Sequence, residues 1–198
     1  MIKAIIFDLG GVIFTDGTNR FVANLVEKYG VDEDKARNII EGKIGTQYRK
    51  SEITRNEFWK RFLEELAINE NADKLEEAWI SEYKLRDEMR DLLFELAKKY
   101  KLYFLSDSVR ERAERINSKY NLVSWFTDGI FSHEVGIRKP HPDMYRLILE
   151  KAGVKPEEAI FTDDKEKFLE PARELGMKTI HFETTEKFRD TLEKLLNP

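Results

Sequence analysis

The 198-residue chain has no cysteine, which excludes disulfides, thiolate catalysis and cysteine-based zinc sites. Histidine is nearly as scarce. Three are present, far apart, and no pair has helix or hairpin ligand spacing. No apolar run approaches the roughly 20 residues that a membrane span requires. Asp8 interrupts the first apolar run too early for a secretory leader, so the sequence predicts a cytoplasmic protein. A surplus of positive charge is also missing: 34 Lys and Arg stand against 38 Asp and Glu, a net charge of −4. With both signs interspersed, that balance argues against nucleic acid or an anionic membrane as the main partner. It leaves open a small anionic substrate in a locally positive pocket.

What the chain does contain is enough for a folded core. The hydrophobic fraction is 41%, with three Trp, which excludes disorder. The length suits one domain, or a domain carrying an insertion, and such a fold buries roughly 70% of the unfolded surface. Charged residues reach 36%, mostly Lys and Glu. That composition fits a thermophile, where ion-pair networks cost less to desolvate. It fits equally well a mesophilic helical protein with solvated charged faces.

Ala4 to Phe7 form a short continuous apolar run that ends on Asp8, the pattern of a strand buried on both faces. Gly10 and Gly11 then allow a sharp turn, with Val12–Phe14 expected to return as a short hairpin. From Thr18 to about Tyr83 the apolar residues recur at helical spacing, as in Phe58, Phe62, Leu63 and Leu66. Breaks fall at Gly30 and Gly42–Gly45, and no strand pattern is present. After Arg86 helices and strands alternate. A helix over 87–100 leads to a strand at 102–105, and a strand at 130–131 precedes a helix opened by Pro140. A strand at 159–162, a helix ending near Gly176, a strand at 178–182 and a helix at 188–196 complete the pattern. Such alternation predicts an α/β fold: a Rossmann-like parallel sheet core with a helical cap inserted after the first strand. The expected division is 1–16 plus 86–198 for the core and 17–85 for the cap.

Ligands of such sheets sit at the carboxyl ends of the strands. Asp8, Ser106-Asp107 and Asp163-Asp164 all stand at those ends, and Lys139 precedes the helix expected at Pro140. Each residue type has a task in phosphoryl transfer. A carboxylate can attack phosphorus and split one hard step into two. Its charge repels a phosphate dianion, so Mg²⁺ held by carboxylates, together with a lysine, must screen both. A hydroxyl and backbone N–H groups can take the remaining phosphoryl oxygens.

These segments resemble the haloacid dehalogenase-like hydrolases. The matching blocks are Ile6-Phe7-Asp8-Leu9-Gly10-Gly11-Val12, Phe104-Leu105-Ser106-Asp107, Val135-Gly136-Ile137-Arg138-Lys139-Pro140 and Phe161-Thr162-Asp163-Asp164, with Ala172 to Gly176 after them. One block alone is weak; four in order are specific. The resemblance implies that Asp8 attacks phosphorus and that Ser106 and Lys139 bind the phosphoryl group. It also implies Mg²⁺ on Asp8, Asp163 and the Gly10 carbonyl, with Asp164 close by, and a cap that closes over a small phosphorylated metabolite.

Three positions depart from the family pattern. Gly10 stands where a second Asp usually acts as general acid. Asp107 replaces a common Asn and is expected to line the site or to pair with Arg110 or Arg112. Phe168 replaces another common Asn. Thr15, Asp16 and His133 are the candidate replacement proton donors, although each is better explained as a loop or exposed residue. Tyr48-Arg49-Lys50 either contacts a substrate leaving group or forms a solvated charged face, and Trp59 and Trp79 are expected in the cap core. Two other activities fit parts of the pattern: a 2-haloacid dehalogenase, and a non-catalytic or weakly active relative that binds a phosphorylated ligand or a protein.

Overall fold

The computed structural model describes residues 1–196. Strand β1 (Ala4–Phe7) is buried throughout. It lies at the centre of a sheet completed by β2 (Lys101–Ser106), β3 (Asp128–Phe131), β4 (Ala159–Asp163) and β5 (Lys178–His181). The order is β3-β2-β1-β4-β5 and every pairing is parallel. Because β1 has a neighbour on each edge and helices on both faces, none of its side chains meets water, hence its unbroken apolar run.

Successive side chains of β1 point to opposite layers. Ile5 and Phe7 join one apolar layer with residues of α6 (Asp87–Leu96), α7 (Arg110–Tyr120) and α11 (Thr185–Leu196). Ala4 and Ile6 join the other, against α9 (Pro142–Ala152) and α10 (Glu166–Glu174). The short helix α8 (Ser132–Val135) follows β3 directly.

Between β1 and α6 lie five helices: α1 (Gly17–Tyr29), α2 (Glu33–Glu41), α3 (Lys43–Arg49), α4 (Arg55–Leu66) and α5 (Ala72–Ser81). They enclose an aromatic cluster of their own in which Phe21, Phe58, Trp59, Phe62 and Trp79 are buried. Each such side chain contributes about 1.5–3 kcal/mol by leaving water. Local signals fix the helix starts: Asp16 caps α1 through Asn19 N, and Thr54 with Glu57 forms a capping box on α4.

Three expectations need correction. Residues Val12–Phe14 do not return as a hairpin strand. The amides of Ile13 and Phe14 both bond back to the Leu9 carbonyl, giving a tight turn, and Phe14 then bridges Leu85 in antiparallel fashion. The helix expected at Pro140 begins at Pro142, because His141 supplies the cap and accepts from Asp143 N. The helix of residues 87–100 stops at Leu96, and hydrogen-bonded turns carry the chain to β2. No helix of the described residues is long and apolar enough to cross a membrane.

The outgoing and returning chains of the helical insertion are tied together. Thr15 N donates to Lys84 O at 2.9 Å and Arg86 N to Ile13 O at 3.0 Å. The Thr15 hydroxyl donates to Glu82 O at 2.6 Å and accepts from Lys84 N at 2.9 Å. Thr15→Val keeps the shape and removes both side-chain bonds. Stability in a urea titration is expected to fall by about 1–2 kcal/mol; an unchanged midpoint would show that the hydroxyl contributes nothing to this clasp.

Candidate active site

The parallel register decides which side chains meet. Phe7 is level with Phe104 on one side and Thr162 on the other, so the residues that follow each strand emerge on one edge. Asp8 leaves β1 with its amide bonded to Thr162 O at 2.9 Å. Asp163 ends β4 beside it, and Asp164 follows. Ser106 ends β2, with Asp107 next.

Lys139 enters this edge from the loop between α8 and α9. It is 1% exposed, and its Nζ donates to Asp8 Oδ1 at 2.8 Å and Asp163 Oδ2 at 2.6 Å. Asp163 Oδ1 accepts from Lys165 N at 2.9 Å. The rings of Phe161 and Phe168 lie 5.5 and 5.1 Å from the Lys139 ammonium. Phe168 thus offers a π face to the ammonium rather than a hydrogen bond.

Three carboxylates surround this one ammonium. Asp8, Asp163 and Asp164 each present an oxygen within 4.8 Å of the others'. Burial raises the pKa of Asp8, and Asp163 raises it further, against the pull of Lys139. Burial likewise raises Asp163, and Asp164 is raised by burial and by the Asp8 charge. Burial alone would lower the Lys139 pKa, but Asp163 and Asp8 together push it well above the ordinary lysine range. One cation does not balance three acids, so this edge carries a surplus of negative charge that a divalent cation would cancel. Gly11 makes room for the cluster. It holds φ +90°, and a Cβ there would stand 2.3 Å from the Asp164 carboxyl.

Asp107 pairs with neither Arg110 nor Arg112 through its side chain. Its Oδ2 accepts from Arg138 Nε at 2.9 Å and its Oδ1 from the Lys139 amide at 3.0 Å. Arg112 reaches only its carbonyl, at 3.1 Å. Both Asp107 oxygens therefore hold the loop that carries Lys139. Ser106 is buried beside Asp8, and its hydroxyl has no protein hydrogen bond among the described residues.

A cleft of about 120 Å³ opens over these groups, lined also by Gly10, Asp16, Glu41, Arg49, Tyr83, Arg112, Lys165 and Phe168. That is well below the roughly 300–1,000 Å³ of sites for drug-sized ligands. The space beside Gly10 is filled by Tyr83, whose ring carbon would lie 3.1 Å from an added Cβ. The Tyr83 hydroxyl bonds to Thr18 Oγ1 at 2.8 Å and accepts from Arg112 at 2.7 Å.

The three candidate proton donors fare differently. Thr15 is committed to the clasp described above. Asp16 lines the cleft, but its oxygens accept from Asn19 N at 3.0 Å and Asn19 Nδ2 at 2.6 Å. His133 is buried, not exposed, with Nδ1 2.9 Å from Ser108 O and its ring stacked on Phe131. Nor is Tyr48-Arg49-Lys50 a solvated face, since Tyr48 and Arg49 are buried. Tyr83 is the residue sequence reasoning missed, because an aromatic at the end of a helical stretch reads as core.

The sequence model of the haloacid dehalogenase-like hydrolases matches residues 2–176. The chain is 25% identical to D-ribitol-5-phosphate phosphatase of Bacteroides thetaiotaomicron over the full length of both. It is 29% identical to a Dictyostelium discoideum protein of no stated activity over 70% of its length, spanning 62% of that relative. A HAD family enzyme from Bacteroides thetaiotaomicron, crystallised with magnesium and inorganic phosphate, superposes with a TM-score of 0.80 at 28% identity, covering 93% of this chain and 96% of that one. With the family match running from the first strand to the turn before the last, and a parallel core that superposes on a solved member, the chain belongs to the haloacid dehalogenase-like hydrolases.

Proposed function

We propose that this enzyme is a magnesium-dependent phosphomonoester hydrolase that acts on a small phosphorylated metabolite through a phosphorylated Asp8. The observation that carries this reading is the buried Lys139 ammonium bridging Asp8 and Asp163 inside a three-carboxylate cluster. A full-length relative named as a phosphatase and a structural relative crystallised with magnesium and phosphate support it.

Asp8, Asp163 and Asp164, with the Gly10 carbonyl, are the groups that would hold the ion. A bound divalent cation neutralises the carboxylates and stabilises charge on the phosphoryl oxygens. The remaining work falls to the chain. The Asp8 carboxylate attacks phosphorus, the bond to the leaving oxygen breaks, and water then hydrolyses the acyl phosphate. Lys139 holds the carboxylate in place and supplies fixed positive charge where phosphoryl charge develops. The Ser106 hydroxyl, which has no hydrogen-bond partner among the described residues, can donate to a phosphoryl oxygen. Asp107 acts at one remove by positioning Lys139, and its charge is matched by Arg138 rather than turned on the phosphate. In this reading residues 17–85 form the cap and 1–16 with 86–196 form the core, the last two residues of the expected core, 197–198, lying outside the described residues. The dehalogenase alternative is disfavoured by the acid cluster, which a reaction without a metal would leave mutually repulsive.

Asp8→Asn is expected to lower turnover of p-nitrophenyl phosphate by at least about a thousandfold with an unchanged circular dichroism spectrum. Retention of a tenth of wild-type activity would rule Asp8 out as nucleophile. For the metal, Mg²⁺ at about 100 times its dissociation constant is expected to add about 2.7 kcal/mol of stability. Asp164→Asn should reduce that gain. A melting temperature that ignores millimolar Mg²⁺ contradicts the assignment.

Gly10 brings no acid to the leaving group, and Tyr83 occupies the space one would use. General acid catalysis is worth about 10²–10⁴-fold where the leaving group is poor. Aryl and acyl phosphates are therefore expected to turn over faster than simple alkyl phosphates by about that factor. Equal rates across leaving groups of different pKa, with chemistry limiting, would mean that another group supplies the proton.

A further inference from the structure

Among the described residues, two guanidinium groups in the cleft wall have no carboxylate partner. Arg49 ends α3 and Arg112 lies in the first turn of α7, and they are only 5% and 4% exposed. The ion pairs of the cleft go elsewhere: Asp107 to Arg138, Asp8 and Asp163 to Lys139, Asp16 and Glu41 to Lys165. Among the described residues Arg49 donates only to the carbonyls of Ile40 and Gly45. Arg112 donates to Ser108 Oγ at 3.1 Å, Tyr83 OH at 2.7 Å and Asp107 O at 3.1 Å. These neutral oxygens orient the two groups without balancing their charge. Both guanidinium groups face the indole of Trp79, at 5.8 and 5.2 Å from its ring. Burial, then the nearby charges of Arg138 and Arg112, press the Arg49 pKa down to about 10, so the cations repel one another.

Burying two like charges costs stability, and a well-packed apolar pair would serve the fold better. Their place in the cleft offers a compensating use. A phosphoryl group at Asp8 is already served by Lys139 and Ser106. Arg49 and Arg112 belong to other parts of the wall, where the insertion closes on α7 through Tyr83. We infer that the substrate carries a second anionic group on its leaving alcohol, a carboxylate or a second phosphate, and that Arg49 and Arg112 bind it. Planar guanidinium forks suit either anion. The small cleft limits the alcohol to a few carbons. This inference rests on the hydrolase reading above.

The test uses the full-length enzyme with Mg²⁺ at constant ionic strength and compares kcat/KM within matched alkyl esters. In the carboxylate arm, 3-phosphoglycerate is set against glycerol 3-phosphate. In the phosphate arm, propane-1,3-diol bisphosphate is set against its monophosphate. At least one doubly anionic ester is expected to exceed its partner by roughly tenfold or more, and the larger ratio names the anion. Arg49→Met and Arg112→Met should each pull that ratio towards one, and Arg49→Lys and Arg112→Lys should restore part of it. A purely structural pair of arginines would change stability and leave the ratio where it was. If the Met variants fail to fold, the wild-type ratios and the Lys variants decide. Ratios near one in an enzyme that hydrolyses p-nitrophenyl phosphate overturn this inference alone; no hydrolysis of p-nitrophenyl phosphate at all overturns the hydrolase reading with it.

Discussion

A single buried ammonium organises the molecule's chemistry. Lys139 sits among Asp8, Asp163 and two phenylalanine rings, almost wholly out of water. A lysine so placed is tolerated only because acids face it, and the acids are tolerated only because it is there. The parallel sheet supplies the acids, since adjacent strands in register end level with one another. The loop that delivers Lys139 is fastened by Asp107, which grips its amide and the Arg138 side chain. Two departures from the family pattern therefore make sense together. Asp in place of Asn at 107 is charge-matched by Arg138, and Phe168 gives the ammonium an aromatic neighbour.

The helical insertion depends on this edge as well. Its two connecting chains are clasped by Thr15, and it also touches the core at points remote from the clasp. Ser132 Oγ donates to Arg49 O at 2.9 Å, Ser51 Oγ to His133 O at 3.1 Å, and Arg138 to Thr46 Oγ1 at 2.8 Å. Arg138 thereby links Asp107, and through it Lys139, to the insertion. The position of the insertion and the placement of the ammonium share one guanidinium.

Much of this was legible from the chain alone, for reasons that differ by element. The buried strand β1 announces itself through an unbroken apolar run, and the acids stand at strand ends because parallel topology puts ligands there. The helical stretch shows its period through residues such as Phe58 and Phe62. Other features depend on contacts between distant segments. The Val12–Phe14 turn looks like a returning strand until the Leu9 carbonyl is seen to take both amides. Pro140 and Pro142 are equally good helix openers on paper, and the His141 cap decides between them. The partner of Asp107 was sought at Arg110 and Arg112, nearby in sequence, whereas the true one lies 31 residues away. Tyr83, 73 positions from Gly10, has no local signal for filling the space beside it.

The cleft's charges also separate in space. Once the internal pairs are matched, the negative surplus lies at the strand ends, where Asp164 adds a third carboxylate to a pair already sharing one lysine. The positive surplus lies with Arg49 and Arg112 around Trp79. Lys165 does not cancel the first surplus, because Asp16 and Glu41 also draw on its ammonium. Arg138 does not add to the second, because Asp107 holds it. Buried charge in excess at either place costs free energy as long as it stands alone. A metal ion at the acids together with an anionic ligand at the guanidinium groups would remove both costs together. On that argument the cleft suits two charged occupants, a cation at the strand ends and an anion at the guanidinium groups.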